Sequence, residues 1–477
     1  MTTLSTDLYI NGAWRPATGT ADLPVTDSYT EEVFARYRSA SRADVDAAVQ
    51  AAGEALPGWS ATPMSERVAA VRRVAAALRE RTEAIGRVIS REVGMPAKLS
   101  ARIQAGAPVA AWEMYADLAA ALETETRVGH SLVQQVPVGV VACITPWNYP
   151  LHQITGKAAP ALLAGCTVVL KPSELAPSSA YLLAEAVSQA GLPPGVFNLV
   201  HGSGSEIGEA LVSHLGVDMI SFTGSTQAGK RIGTMAALGV KRVALELGGK
   251  SAALVLPGAD LAAAVKATLG SCFLNSGQTC SATTRLLVPR ENYEQAAHLA
   301  GELMSSWRMG DPADAATRLG PLVSRAQRQK VRGMIDAALA SGARRLGADV
   351  ALPAQGFFVA PTVLRDVTPE MAIAQEEVFG PVLVLMAYDG VADGIAIANG
   401  TDYGLAATVW GPTAEALAIA RRLRAGQVDV NGAPFNPAAP FGGFKRSGLG
   451  RENGRFGLEE FLEPVSIQLP INYFEAS

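Results

Sequence analysis

Between Val136 and Val200 the chain alternates short apolar runs with helical stretches: VGVVACIT, HQITGKAAPALLAG, CTVVLKPSE, SSAYLLAEAVSQAGLPPG and VFNLV. The short runs, bounded by Gly, Pro and polar residues, have the length of buried strands, and the longer ones carry helical spacing. Strand, helix, strand, helix, strand predicts a parallel doubly wound sheet with right-handed connections. Such sheets bind ligands where the strands' carboxyl ends meet loops. A second alternating series follows Glu246, with SAALVLP, DLAAAVKATLGSCFLNSG, TTRLLVP and a helical stretch to about Arg308; VLRDV, FGPVLVLMAY and ATVWG follow later. It predicts a second α/β domain. Ahead of both, residues from about Asp44 to Glu123 repeat apolar positions at three and four, as in VAAVRRVAAALRERTEAIGRVIS, which is amphipathic helix.

With 477 residues, 49 % of them hydrophobic, the chain has material for two or three cores. The net charge of −4 is spread over interspersed acids and bases, which argues against nucleic acid and an anionic membrane surface as partners. MTTLSTDLYINGAW has no basic and apolar leader pattern, and no apolar run reaches the roughly 18 residues of a membrane span, so a cytoplasmic protein is expected. Cys143, Cys166, Cys272 and Cys280 form no C-x-x-C pair and are expected to be reduced. The five histidines show no ligand spacing, and no metal is expected.

Several short segments are candidates for chemistry. GSGSEIG, from Gly202, nearly matches a dinucleotide fingerprint through Gly204, but its third glycine comes one residue late. FTGSTQAG is the better phosphate cradle, because Gly224, Ser225 and Gly229 open a helix whose free N–H groups favour an anion. KPSE places Lys171 and Glu174 at the end of a strand, where a carboxylate can bind a ribose. In FLNSGQTC the thiol of Cys280 ends a loop; taken alone it reads more readily as a buried structural cysteine than as a nucleophile.

PWNYP (146–150), ELGGK (246–250), GQTC (277–280), EEVFGPV (376–382) and PFGGFKRSG (440–448), in this order, resemble the NAD(P)-dependent aldehyde dehydrogenase superfamily over essentially the whole chain. The resemblance implies an α/β fold with a Rossmann-type cofactor domain (1–118 and 138–247), a second α/β catalytic domain (248–447) and a small β oligomerisation arm (119–137 and 462–477). It makes Cys280 the nucleophile, Glu246 the general base, Asn148 the oxyanion donor, and Lys157 with Glu452 a proton-relay pair. It assigns the cofactor to Trp147, Lys171, Glu174, Gly224, Ser225, Glu377 and Phe379, to which the glycine-rich turns add Gly204 and Gly229 as candidates, with NAD expected and NADP the alternative.

A thiolate suits this chemistry because hydride leaves a tetrahedral thiohemiacetal, not an sp² aldehyde carbon. A free thiol is only a few per cent ionised at neutral pH, so local activation of Cys280 is expected. The resulting thioester must then be hydrolysed, which needs a base such as Glu246. Tyr149, Gln153, Gly156, Thr279, Ser281 and Phe435 are the implied aldehyde contacts; Gln153 and Gly156 stand where relatives often carry bulkier groups, which predicts a wide, polar mouth. The loop APFNPAAP around Phe435 resembles a bacterial subgroup acting on medium-chain or ω-oxo acid aldehydes. A CoA-acylating dehydrogenase, or a cysteine hydrolase needing a histidine, is the alternative. The resemblance further implies a homodimer or homotetramer.

Overall fold

Five parallel strands, Arg242–Glu246, Met219–Thr223, Val140–Ile144, Thr167–Lys171 and Phe197–Leu199, lie side by side in that order. In this computed structural model, which describes residues 6–347, 350–471 and 473–475, they form the middle of an eight-stranded sheet. The chain enters at the central strand Val140–Ile144, builds outward to Phe197–Leu199, then returns to the other side of the centre. That reversal opens a crevice at the carboxyl ends of the strands, the usual ligand position of a doubly wound sheet. These strands are buried on both faces, as their continuous Val, Ile, Leu and Ala content requires.

Antiparallel additions close both edges of this sheet. Leu8–Ile10 and Ala13–Arg15 cover one side, and Gly448–Leu449 covers the other by pairing with Arg242–Glu246. The second sheet has seven strands, with Val382–Tyr388, Thr283–Pro289, Ser251–Val255, Ala406–Trp410 and Gln427–Val430 adjacent and parallel. The change of sheet falls between Glu246 and Ser251, across the Gly248–Gly249 pair. The chain then returns to the first sheet at Gly448, and helix Gly454–Glu459 packs on the helices of that body.

The N-terminal helical region is divided into Arg42–Ala61, Met64–Glu80, Thr82–Val93 and Ala107–Ala120, the last preceded by a π-helical stretch, Ser100–Gly106. Breaks occur at Pro63 and at Gly94, whose φ of +86° ends a helix without strain. The expected hairpin begins later than residue 119: Ala119 and Ala120 finish the preceding helix, and the strands are Glu125–Val128 and Ser131–Pro137 around Gly129. Strand Leu462–Gln468 adds to them as the third member of a small sheet. Residues 1–5 of the expected cofactor domain, and 472, 476 and 477 of the expected arm, lie outside the described residues. The helical stretch expected to reach Arg308 ends at Met304. Among the described residues no helix is long and apolar enough to cross a membrane.

Helix Ala107–Ala120 links core and site. Trp112 is fully buried in the core of the first body, and its indole N–H donates to the Thr155 hydroxyl at 3.0 Å. Ala107, Ala110, Ala111 and Met114 face a cavity instead. Trp112→Ala is expected to cost about 3–5 kcal/mol by emptying the largest buried side chain of this core. Urea denaturation measures the loss, and a change below about 1 kcal/mol would contradict this packing.

Candidate active site

Four of the five parallel strands of the first sheet lead to residues at the crevice. Val140–Ile144 runs into Trp147 and Asn148, Thr167–Lys171 ends on Lys171, Met219–Thr223 leads to Gly224 and Ser225, and Arg242–Glu246 ends on Glu246. Opposite, from the second body, comes the loop carrying Cys280, between helix Leu261–Phe273 and strand Thr283–Pro289.

That loop makes a left-handed turn on three successive residues, Asn275 (φ 52°), Ser276 (φ 55°) and Gly277 (φ 75°). Only glycine adopts this region freely, so Asn275 and Ser276 must be held there by their surroundings. At Gly277 a Cβ would lie 2.1 Å from the Gly380 backbone. Asn275 donates its amide to Asn148 O at 3.0 Å, and the Ser276 hydroxyl donates to Gly320 O at 2.8 Å. Gln278 is fully buried, donates to Val93 O and Asn275 O, and accepts from the Val323 N–H at 2.8 Å. Asn148 Nδ2 donates to Gln278 O at 3.0 Å, leaving its second N–H for another acceptor, while Gln104 donates to Asn148 O at 2.8 Å. Asn275, Ser276, Gln278 and Gln104 were not singled out in the sequence; the N-S-G tripeptide was the one signal for the turn.

Cys280 is half-buried and opens into a cavity of about 670 Å³, whereas Cys143, Cys166 and Cys272 are fully buried and unpaired. The cavity brings together all six expected aldehyde contacts, Tyr149, Gln153, Gly156, Thr279, Ser281 and Phe435, together with Glu452. Tyr149 and Thr279 share a hydrogen bond of 2.8 Å. His152 also lines it, with no hydrogen-bond partner for Nδ1 and a pKa lowered chiefly by burial. The histidine absent from the sequence neighbourhood of Cys280 is thus present in the cavity wall. The expected polar mouth is corrected: the cavity lining is predominantly apolar, with Ile103, Met114, Leu274, Phe435 and Phe441 beside Ala107, Ala110 and Ala111, because helix and loop side chains distant in sequence close over Gln153 and Gly156.

The expected thiol activation is overturned for the protein by itself. Burial, Glu377 and Glu246 push the Cys280 thiol up to about 12, against a small opposing pull from the Ser281 N–H. Glu246 is buried with neither carboxylate oxygen hydrogen-bonded, and burial followed by the nearby Glu452 holds its carboxyl well above the usual range. Gly442 lets it lie there, since a Cβ at that position would sit 2.5 Å from Glu246 Oε1. Lys157 is fully buried and bonded to Glu452 and to the Thr223 hydroxyl, the latter at 2.6 Å. Two charges in this setting need one another, because each alone would face the full cost of desolvation.

The expected cofactor residues gather on the other side of Cys280. Lys171 is buried, donating to Pro172 O and Gly202 O, and Glu174 lies 3.8 Å from it, half-exposed. Gly204 begins a π-helical turn that follows Ser203, with open space around it; the segment wraps the Lys171 side chain through Gly202 and Gly208. Ser225 caps helix Thr226–Leu238 by accepting from the Ala228 N–H, and the Gly224 N–H donates to Glu246 O at 3.0 Å. Gly229 is required by packing, since a Cβ there would lie 2.4 Å from Leu247. Glu377 accepts from the Gly249 N–H at 3.0 Å, and Phe379 meets Trp147 edge-on with ring centres 5.3 Å apart. This arrangement suits a dinucleotide: a helix N-terminus for phosphate, and carboxylates placed for two riboses. Among the described residues no group of three or more His, Cys, Asp or Glu could hold a metal ion.

Residues 14–467 match the aldehyde dehydrogenase family. A 3-succinoylsemialdehyde-pyridine dehydrogenase from Pseudomonas sp is 43 % identical over 96 % of this chain and 97 % of its own. Among solved structures, a cysteine-to-alanine mutant of aldehyde dehydrogenase C from Pseudomonas syringae, in complex with NAD+ and octanal, is 46 % identical with a TM-score of 0.95. That comparison covers 97 % of this chain and 96 % of the other. The NAD+ complex of an aldehyde dehydrogenase from Bacillus cereus is 36 % identical with a TM-score of 0.94, covering 97 % and 96 %.

A thiol raised by burial and neighbouring carboxylates alkylates slowly at neutral pH. Without cofactor, the rate of Cys280 carbamidomethylation by iodoacetamide is expected to keep rising to about pH 10. Peptide mass spectrometry follows it, and a plateau below about pH 8 would contradict the high pKa.

Proposed function

The chain belongs to the aldehyde dehydrogenase family, and from that premise we propose how its residues divide the oxidation of an aldehyde to its carboxylic acid with NAD. The observation that carries the reading is the convergence of Cys280, Asn148 and the buried Glu246 at the junction of the two bodies. Bound NAD supplies the hydride acceptor. Lys171 and Glu174 hold the adenosine ribose, the N-terminus of helix Thr226–Leu238 receives the pyrophosphate, and Glu377 with Phe379 and Trp147 frames the nicotinamide end. Glu174 also supports NAD over NADP, since its carboxylate accepts from a 2′-hydroxyl and repels a 2′-phosphate.

Cys280 Sγ gives up its proton to solvent and bonds to the aldehyde carbon, forming a thiohemiacetal. Charge gathers on the former carbonyl oxygen, toward the free N–H of Asn148; a donor of this kind is worth about 3 kcal/mol in the transition state. Departure of hydride leaves a thioester on Cys280. Glu246 then takes a proton from water as the hydroxyl adds to the thioester carbon, and the acid leaves as Cys280 regains its thiolate. The raised Glu246 carboxyl makes its ionised form a stronger base toward water than an ordinary glutamate. Lys157 and Glu452, both near Glu246, give the proton a buried route onward. A hydrolytic end to the cycle is favoured over transfer to CoA by this placement of Glu246.

The exposed arm sheet, with Val128, Val465 and Ile467 open to solvent, supports assembly into a homodimer or homotetramer through these strands. Four unpaired thiols fit a reducing, cytoplasmic setting.

Glu246→Gln keeps the shape and cannot take the proton. Mixed rapidly with aldehyde and NAD, this variant is expected to release at most about one equivalent of NADH per site, then turn over roughly 10² to 10⁴ times more slowly than the parent. Stopped-flow absorbance measures both phases. Full steady-state turnover, or a parent rate strictly dependent on CoA, would refute the assignment.

A further inference from the structure

The cavity in front of Cys280 has one charged group that the oxidation does not use. Asp429 lies on strand Gln427–Val430, at the edge of the second sheet, and lines the cavity together with Gln427 two residues earlier. Thr408, its direct partner on the adjacent parallel strand, lines it too. Asp429 accepts a hydrogen bond from Gln427 Nε2 at 3.0 Å, and among the described residues no lysine or arginine faces it or lines the cavity. The other acid in the wall, Glu452, is matched by Lys157. Partial burial raises the Asp429 carboxyl above its usual range, with the Gln427 amide pulling back, so a cation beside it would restore its charged form.

A second observation points to a polar guest. Gln153 is 7 % exposed, lines the cavity, and leaves its Oε1 with no hydrogen-bond partner; Thr408 Oγ1 is buried and unpartnered as well. Buried acceptors are normally satisfied, so these invite a donor from whatever fills the space. The rings of Phe435 and Phe441, 6.3 Å apart and nearly perpendicular, line the same cavity. Aromatic faces of this kind attract an organic cation and contribute nothing for a carboxylate. His152 is kept toward its neutral form by burial and adds no positive charge.

We propose that the aldehyde taken by this site carries a cationic nitrogen centre at the end remote from its carbonyl, with Asp429 as the residue that selects it. The inference rests on the dehydrogenase reading above and narrows its substrate to one charge class. It runs against the ω-oxo acid expected from the loop around Phe435, because a carboxylate tail would meet Asp429 with no cation to offset it.

The test uses two isosteric aldehydes on the same propylene-linked chain, one ending in trimethylammonium and the other in tert-butyl, with a carboxylate-ended aldehyde as third probe. For the full-length enzyme with NAD, kcat/KM is expected to favour the ammonium aldehyde over the tert-butyl one by about tenfold, the difference lying in KM, with the carboxylate aldehyde poorest. In Asp429→Asn the ratio should fall to near one, and in Asp429→Lys the carboxylate aldehyde should overtake the ammonium one. A parent ratio near one, or a ratio unchanged in both variants, would overturn the proposal while leaving the dehydrogenase reading intact. Oxidation of the tert-butyl aldehyde without the ammonium one would overturn the proposal alone, and no NADH formed with any of the three or with an unbranched aliphatic aldehyde would refute both.

Discussion

Three carboxylates are packed near one thiol, with the buried ammoniums of Lys157 and Lys250 beside them, and the organisation of the two bodies follows from keeping that arrangement together. Glu246, Glu377 and Glu452 all raise the Cys280 thiol, and Lys157 is the cation that offsets Glu452. No single body could assemble this set. Glu246 and Lys157 come from the first sheet and its helix, Glu377 and Cys280 from the second body, and Glu452 from the segment that returns to the first. Each group is desolvated, and desolvation raises the proton affinity of the thiol and of the carboxylates alike.

The rigidity needed to hold such a set comes from neutral hydrogen bonds. Asn148 is the pivot: its carbonyl accepts from Gln104 and Asn275, and its side chain donates to Gln278 O. The residue offering an N–H to the reacting oxygen is therefore fixed by the same bonds that fix the strained turn ahead of Cys280. Left-handed Asn275 and Ser276 cost conformational energy, and the buried amide of Gln278, tied to two separate segments, over-determines the turn.

The parallel strands were legible because they are buried on both faces and so read as short unbroken apolar runs, and the residues at their carboxyl ends could be placed from that pattern. The pairing of Gly448–Leu449 with Arg242–Glu246 was not legible, since two residues give no period. Cys280 as nucleophile came from the motif and its company rather than from its neighbours in sequence. Its high pKa escaped notice because the groups that set it stand on four separate segments. His152 and Asp429 were missed for a simpler reason. A histidine in an apolar helix and an acid in a four-residue strand look like ordinary pattern, and only the cavity shows that both face the same space.

The central claim is that burial raises the proton affinity of Glu246 well beyond that of an ordinary carboxyl, so that its ionised form is a stronger base for water than an exposed glutamate would be. Infrared difference spectroscopy of the parent against Glu246→Gln tests this directly. The account predicts a protonated-carboxyl stretch present at about pH 6, far above the usual glutamate pKa of about 4.3, and missing from the variant. A parent lacking that band at the same pH, or a band that survives the substitution, would contradict it.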